Sequence, residues 1–159
     1  MKLRMTSVLV CAGLFLSGCA THPTNEASNS YEALCKQTDE AEIAALFDRW
    51  NAALQTGEPE QVVALYAEDS ILLPTLSNQP RLTQEEREAY FVHFLEDRPV
   101  GTIDLSHIEV GCNTALDAGL YTFRFAATGA EASGRYSYTY RWDGDEWVIT
   151  SHHSSLLPE

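Results

Sequence analysis

The feature that most constrains the fold is a pair of aromatic runs with a period of two. Tyr121, Phe123 and Phe125 alternate with Thr122 and Arg124. Tyr136, Tyr138, Tyr140 and Trp142 alternate with Arg135, Ser137, Thr139 and Arg141. Successive side chains of a strand point to opposite faces, so each run reads as a strand with one aromatic face and one polar, basic face. Thr114 to Ala126 carries the first run, and Ile103, Leu105 and His107 begin a further alternating segment after Pro99. Asp143-Gly144 is a hairpin turn signal, and a last strand runs from Trp147 to about Ser155. A two- or four-residue turn would put Trp147, Ile149, Ser151 and His153 on the face of the tyrosines, with Thr150 and His152 opposite. A three-residue turn with a bulge would exchange the two sets.

Helical patterns precede the strands. Asp39 and Glu42 form a capping-box pattern, and Ile43, Leu46, Phe47, Trp50 and Leu54 follow as one apolar stripe up to Gly57. Pro59 opens a second short helix with Val62, Val63, Leu65 and Tyr66. Ser70 to Leu73 reads as a short strand stopped by Pro74. Thr83 and Glu86 repeat the capping pattern before a third helix with Tyr90, Phe91, Phe94 and Leu95 on one side. The expected class is α+β, one domain over 39–159. Apolar residues make up 45% of the 159, enough for a single core.

The N-terminus reads as an export signal. Lys2 and Arg4 precede a mostly apolar stretch from Met5 to Phe15, too short to span a bilayer. Leu16-Ser17-Gly18-Cys19 resembles the bacterial lipobox. That resemblance implies cleavage after residue 18 and acylation of Cys19. Ala20 in place of Asp implies sorting to the periplasmic face of the outer membrane in a Gram-negative cell. Residues 19–38 are polar and read as a flexible tether. Without Lys2 and Arg4 the net charge is 8 − 23 = −15. Such a surface repels phosphate backbones, so no nucleic-acid partner is expected and the membrane anchor is the lipid itself.

Cys11 falls in the signal and Cys19 takes lipid, which leaves Cys35 and Cys112. In an oxidising compartment these are read as one disulfide stapling the tether to a strand in mid-domain, or else as two separate thiols. There is no close Cys pair, so no metal site is expected, and no cofactor.

Helices followed by a long curved antiparallel sheet is the order of the nuclear-transport-factor-2-like, or SnoaL-like, cone fold. Leu46, Trp50, Ala53, Leu54, Gly57, Val63, Leu65, Tyr66 and Asp69 resemble that superfamily's opening elements. Arg141 to Trp147 with His152-His153-Ser154-Ser155 resembles the association (hub) domain of calcium/calmodulin-dependent protein kinase II. Thr102-Ile103-Asp104 and Gly119 to Phe123 resemble its bacterial stand-alone relatives. The resemblance spans Asp39 to Glu159. It implies a cone-shaped sheet packed against N-terminal helices, self-association as a homodimer or larger ring, and a polar, arginine-lined pocket. One hub pocket arginine aligns with Thr122 here, with Arg124 two residues on, and another falls near Arg135. No kinase activity is implied, since Gly-rich and catalytic-loop motifs are lacking.

The candidate ligand-binding residues are therefore Arg124, Arg135, Tyr138, His152 and His153. Two arginines sharing a cleft would suit a small organic anion, or would pair with acidic neighbours at a rim. His152 and His153 are adjacent on a strand and point to opposite faces, so one of them should reach the cleft. Asp117 falls on the aromatic face and is the nearest approach to a core-facing carboxylate. Three functions remain open: a lipid-anchored binding or assembly module, an isomerase, dehydratase or cyclase using a cleft histidine, and a purely structural envelope protein.

Overall fold

A computed structural model describes residues 34–75 and 77–158. The expected signal over 1–18, the lipid site Cys19 and the tether through residue 33 lie outside them. No helix among the described residues is long and apolar enough to cross a membrane.

Helix α1 (Glu40–Thr56) is capped by Asp39, whose carboxylate accepts from the Glu42 N–H at 2.8 Å. Only half of the expected capping box forms. The Glu42 carboxylate turns instead to Thr38, Lys36 and the Trp147 indole N–H. Gly57 ends the helix at φ +74°, a left-handed turn that favours glycine. Ile43, Phe47, Trp50 and Leu54 form a fully buried stripe, each contributing roughly 1.5–3 kcal/mol of hydrophobic stabilisation. Helix α2 (Pro59–Val63) has proline in its first turn, and helix α3 (Gln84–Glu96) starts with a complete capping box between Thr83 and Glu86.

Five strands follow the order β1-β5-β4-β3-β2 in one curved, unclosed sheet. They are β1 (Tyr66–Leu73), β2 (Pro99–Val110), β3 (Thr114–Phe125), β4 (Glu131–Trp142) and β5 (Trp147–Leu156). Four of them pair antiparallel as expected, but β1 joins β5 in parallel. β1 also begins at Tyr66, earlier than alternation suggested, because its register breaks between Tyr66 and Ile71 and hides the period. A second bulge leaves Asp104 of β2 unpaired between Ile103 and Leu105, opposite the Leu120–Tyr121 step of β3 and next to the Ser106–Gly119 pair. Bulges bend strands, and the bent sheet wraps its aromatic face around α1.

α1 is clamped to two strands of the sheet by polar contacts from Arg49 and Asn51. Asn51 exchanges two hydrogen bonds with the Gly101 backbone at 2.9 and 3.0 Å. Arg49 donates to the Trp147 carbonyl at 2.8 Å. Gly101 allows close approach here: a β-carbon would stand 2.9 Å from the Phe47 ring.

Cys35 and Cys112 form a disulfide. Cys112 sits in the turn between β2 and β3, not within a strand as expected. The Lys36 N–H donates to the Asn113 side chain at 2.7 Å, and the Asn113 amide donates to the Leu34 carbonyl at 3.3 Å. Leu34, Cys35 and Lys36, assigned to the tether from sequence, are thus held against this turn, at the start of β3.

Candidate functional site

The β4–β5 hairpin decides which histidine faces inward. The turn has four residues, Asp143 to Glu146, with the Asp143 carboxylate accepting from the Asp145 and Glu146 N–H groups, each at 2.9 Å. Trp142 pairs with Trp147, and Tyr140 with Ile149. The register then slips by one at Thr150, so Tyr138 pairs with His152 and Tyr136 with Ser154. A four-residue turn and a bulge therefore occur together. Trp147 and Ile149 keep the first parity, while His152 and Ser154 take the second.

His152 is 4% exposed and its ring stacks on Tyr138 with centroids 4.2 Å apart. The Trp50 ring meets it edge-on at 5.4 Å. The Trp50 indole N–H donates to the Tyr66 hydroxyl at 3.1 Å, and that hydroxyl stands 2.7 Å from His152 Nδ1. Burial, with a smaller contribution from His153, pulls the His152 pKa down to about 3, so the ring is neutral at ordinary pH. Burial likewise holds the Tyr66 and Tyr138 hydroxyls protonated far beyond the usual tyrosine range. His152 Nε2 is buried and makes no hydrogen bond among the described residues.

His152 forms part of the wall of a cavity of about 470 Å³ between α1, α3 and the concave face of the sheet. That is within the size of ordinary small-molecule sites, about 300–1,000 Å³. Trp50, Leu72, Tyr90, Phe91, Phe94, Tyr121, Phe123 and Phe125 supply an aromatic and aliphatic lining. A hydroxyl strip runs through Tyr121, Ser154 and Thr75, with the Ser154 hydroxyl bonded to both of the others. The exposed residues His93, Asp97, Ser133 and Leu156 form the mouth. It lies at the end of β3 remote from the disulfide.

Of the five residues singled out from sequence, only His152 lines this cavity. Tyr138 is fully buried behind it. His153 pairs with Ser137 on the outer face. Arg124 is exposed on the outer face and binds Glu131 through Nε at 3.0 Å and a terminal nitrogen at 2.7 Å. Arg135 is also exposed, opposite Leu120. The two arginines do not share a cleft: Arg124 stands four positions along β3 from Leu120, roughly 13 Å at strand rise. Asp117 is buried on the aromatic face as alternation implied, but accepts from Ser106 at 2.6 Å and Tyr136 at 2.9 Å and does not line the cavity.

Sequence reasoning missed Arg87, which is 1% exposed. Its guanidinium donates to the carbonyls of Ser70 at 2.8 Å, Glu68 at 3.1 Å, and Ala67 and Leu82 at 3.3 Å each. Three of these belong to the irregular stretch of β1, whose carbonyls the sheet ladder leaves over. Arg87 thereby fixes β1 and Tyr66 against α3. Ser154 and Thr75 were also missed; the Ser154 position becomes readable once the Thr150 bulge is known.

The family model of the calcium/calmodulin dependent protein kinase II association domain matches residues 39–158. The chain belongs to this family. The association domain is one branch of the nuclear-transport-factor-2-like fold, and solved relatives agree. A candidate association domain from Xanthomonas campestris is 42% identical, with a TM-score of 0.74, covering 77% of this chain and 91% of that one. A protein with a cystatin-like fold from Nostoc punctiforme is 17% identical, with a TM-score of 0.66, covering 79% and 96%. A candidate dehydratase of the nuclear-transport-factor-2-like family from Streptomyces avermitilis is 13% identical, with a TM-score of 0.64, covering 76% and 98%. The last two show the shared fold alone. No match was found among curated proteins. In this association domain, then, the cavity wall is aromatic and hydroxylic, and the arginines expected to line a pocket stand elsewhere.

Proposed function

We propose that this association domain is a lipid-anchored, self-associating module of the bacterial envelope that holds a small ligand in the cavity beside His152. The observation that carries the reading is a buried imidazole with an unpartnered nitrogen in the wall of a largely apolar cavity. Such a cavity with a few placed polar groups is the usual form of a small-molecule site. Self-association rests on the family and on the sheet edge, where β2 carries exposed Val100, Leu105 and Val110. Acylation of Cys19 and outer-membrane placement rest on the lipobox-like Leu16 to Cys19 and on Ala20.

An anionic ligand fits this cavity less well than the sequence implied. Among the described residues no arginine or lysine lines it, and Asp97 stands at its mouth. An enzyme of the isomerase, dehydratase or cyclase kind would need His152 as proton carrier. An imidazole whose pKa is near 3 is a poor base at neutral pH, and Asp117 is engaged elsewhere.

Native mass spectrometry of the mature protein released from membranes in mild detergent tests the reading. The expected result is an oligomer carrying the acyl mass on Cys19 and a retained small molecule lost on mild activation. A monomer without acyl mass, and no bound molecule in any preparation, would overturn it.

A further inference from the structure

The Trp50–Tyr66–His152 chain can be read for its protons. An indole N–H only donates, so the Tyr66 oxygen accepts from Trp50. The Tyr66 hydrogen then needs an acceptor, and the one in reach among the described residues is His152 Nδ1 at 2.7 Å. A neutral imidazole that accepts at Nδ1 carries its proton at Nε2. That N–H belongs to a residue lining the cavity, is fully buried, and has no acceptor among the described residues. An unpaired buried donor is costly, so an occupant that supplies an acceptor is favoured over one that does not.

We infer that the cavity selects a neutral, mainly apolar ring compound bearing a hydrogen-bond acceptor such as a ketone or amide carbonyl, and that the His152 Nε2–H is the donor that reads it. This deepens, and rests on, the proposal that the cavity is a ligand site. The charge pattern disfavours the competing chemistry. Arg87, whose guanidinium packs over the Tyr66 ring, spends four hydrogen bonds on backbone carbonyls, and Arg81 is outside the cavity lining. A carboxylate ligand would lose its hydration without gaining a cation. A pure hydrocarbon would fit the aromatic walls but leave the Nε2–H unpaired. The hydroxyl strip of Tyr121, Ser154 and Thr75 gives a second, weaker polar contact, because its members already bond one another.

Nε2 itself has almost no exposed surface, so an occupant reaches it by displacing neighbouring wall atoms slightly, and the hydrogen bond forms as the ligand seats. Tyr66 is a positioning residue: it acts on the ligand only through the tautomer of His152. Replacing it by Phe removes the hydrogen donated to Nδ1 and releases the imidazole to either tautomer.

The test has two arms on the mature protein at pH 7. In the first, nitrogen-15 NMR of histidine-labelled protein reports which His152 nitrogen is protonated. The expected result is a protonated Nε2 and a bare Nδ1, with the Y66F variant showing a mixture. A protonated Nδ1, or a doubly protonated ring, would overturn the inference. In the second arm, tryptophan fluorescence follows binding of three probes of one shape: 2-acetonaphthone, 2-ethylnaphthalene and 2-naphthoate. The ketone is expected to bind about fivefold or more tighter than the hydrocarbon, with naphthoate weakest, and H152F to abolish the ketone's advantage while still binding the hydrocarbon. Equal binding of ketone and hydrocarbon, or tightest binding of naphthoate, overturns the donor assignment but leaves the cavity a ligand site. Failure of all three to bind overturns the ligand-site proposal itself and this inference with it.

Discussion

Gly119 passes directly beneath Leu105. A β-carbon on Gly119 would stand 1.8 Å from the Leu105 carbonyl oxygen, an atom of the backbone that cannot swing aside. The contact lies at the Asp104 bulge, where β2 carries one residue more than β3. Gly119 is thus the residue that lets the sheet bend there.

Gly119→Ala should therefore cost about 2–3 kcal/mol of folding stability, by overpacking against main chain. Urea denaturation of the two proteins measures it as a lowered midpoint with little change in slope. A loss under about 0.5 kcal/mol, the size of an ordinary surface substitution, would mean that the bulge is not where the sheet bends.

Arg87→Met should cost about 3 kcal/mol, since four carbonyls, two of them fully buried, lose their donor together. Arg87→Lys should recover only part of this, because an ammonium cannot reach the same carbonyls with a planar fork. Thermal and urea unfolding of both variants would show it. Equal stability of the lysine variant and the parent would contradict the geometry described for β1.

Acid should destabilise the protein before its carboxylates titrate. The folded His152 pKa is about 3 against an ordinary 6.5, so the unfolded chain binds the proton first. Stability from this group is complete above about pH 6.5 and falls progressively toward pH 3, by at most about 1.4 kcal/mol per pH unit. The depressed carboxylates Glu42, Asp69, Glu85, Glu86 and Asp143 contribute stability that is lost only lower, as pH falls through folded pKa values below their ordinary 3.8 to 4.5. Between pH 6.5 and 5 the parent should lose about 1.6 kcal/mol, and His152→Gln should lose much less over the same interval. Parallel pH profiles for the two would show that His152 is not buried as described.

Reduction of Cys35–Cys112 should lower stability by about 4 kcal/mol in the chain-entropy model, because the bond closes a loop with a sequence separation of 77. The double variant Cys35→Ser, Cys112→Ser measures the same loss without reductant. Alkylation of the denatured, unreduced mature protein should label neither cysteine.

The elements whose partners are set by spacing were legible in the sequence. Ile43, Phe47, Trp50 and Leu54 had to share a helix face, and Tyr136, Tyr138 and Tyr140 had to share a sheet face, from periodicity alone. The site was less legible because a single extra residue at Thr150 decides whether His152 or His153 points inward, and a bulge leaves no compositional mark. Arg87 was silent for another reason: its acceptors are main-chain carbonyls, which every residue has. Arg124 was assigned to a cleft because alternation gives the face of a strand but not the position along it, and Glu131, its cross-strand partner, belongs to a strand that reads as starting later.

The disulfide sets the handedness of access. It fastens the N-terminal segment to the β2–β3 turn, whereas the cavity opens at the far end of β3, roughly 40 Å along a 12-residue strand. If Cys19 carries lipid as proposed, 35 − 19 = 16 residues join it to Cys35, and the attachment is at the end of the domain away from the cavity mouth. Under that proposal the mouth is turned away from the membrane, and cargo would be taken from solution and not directly from the bilayer.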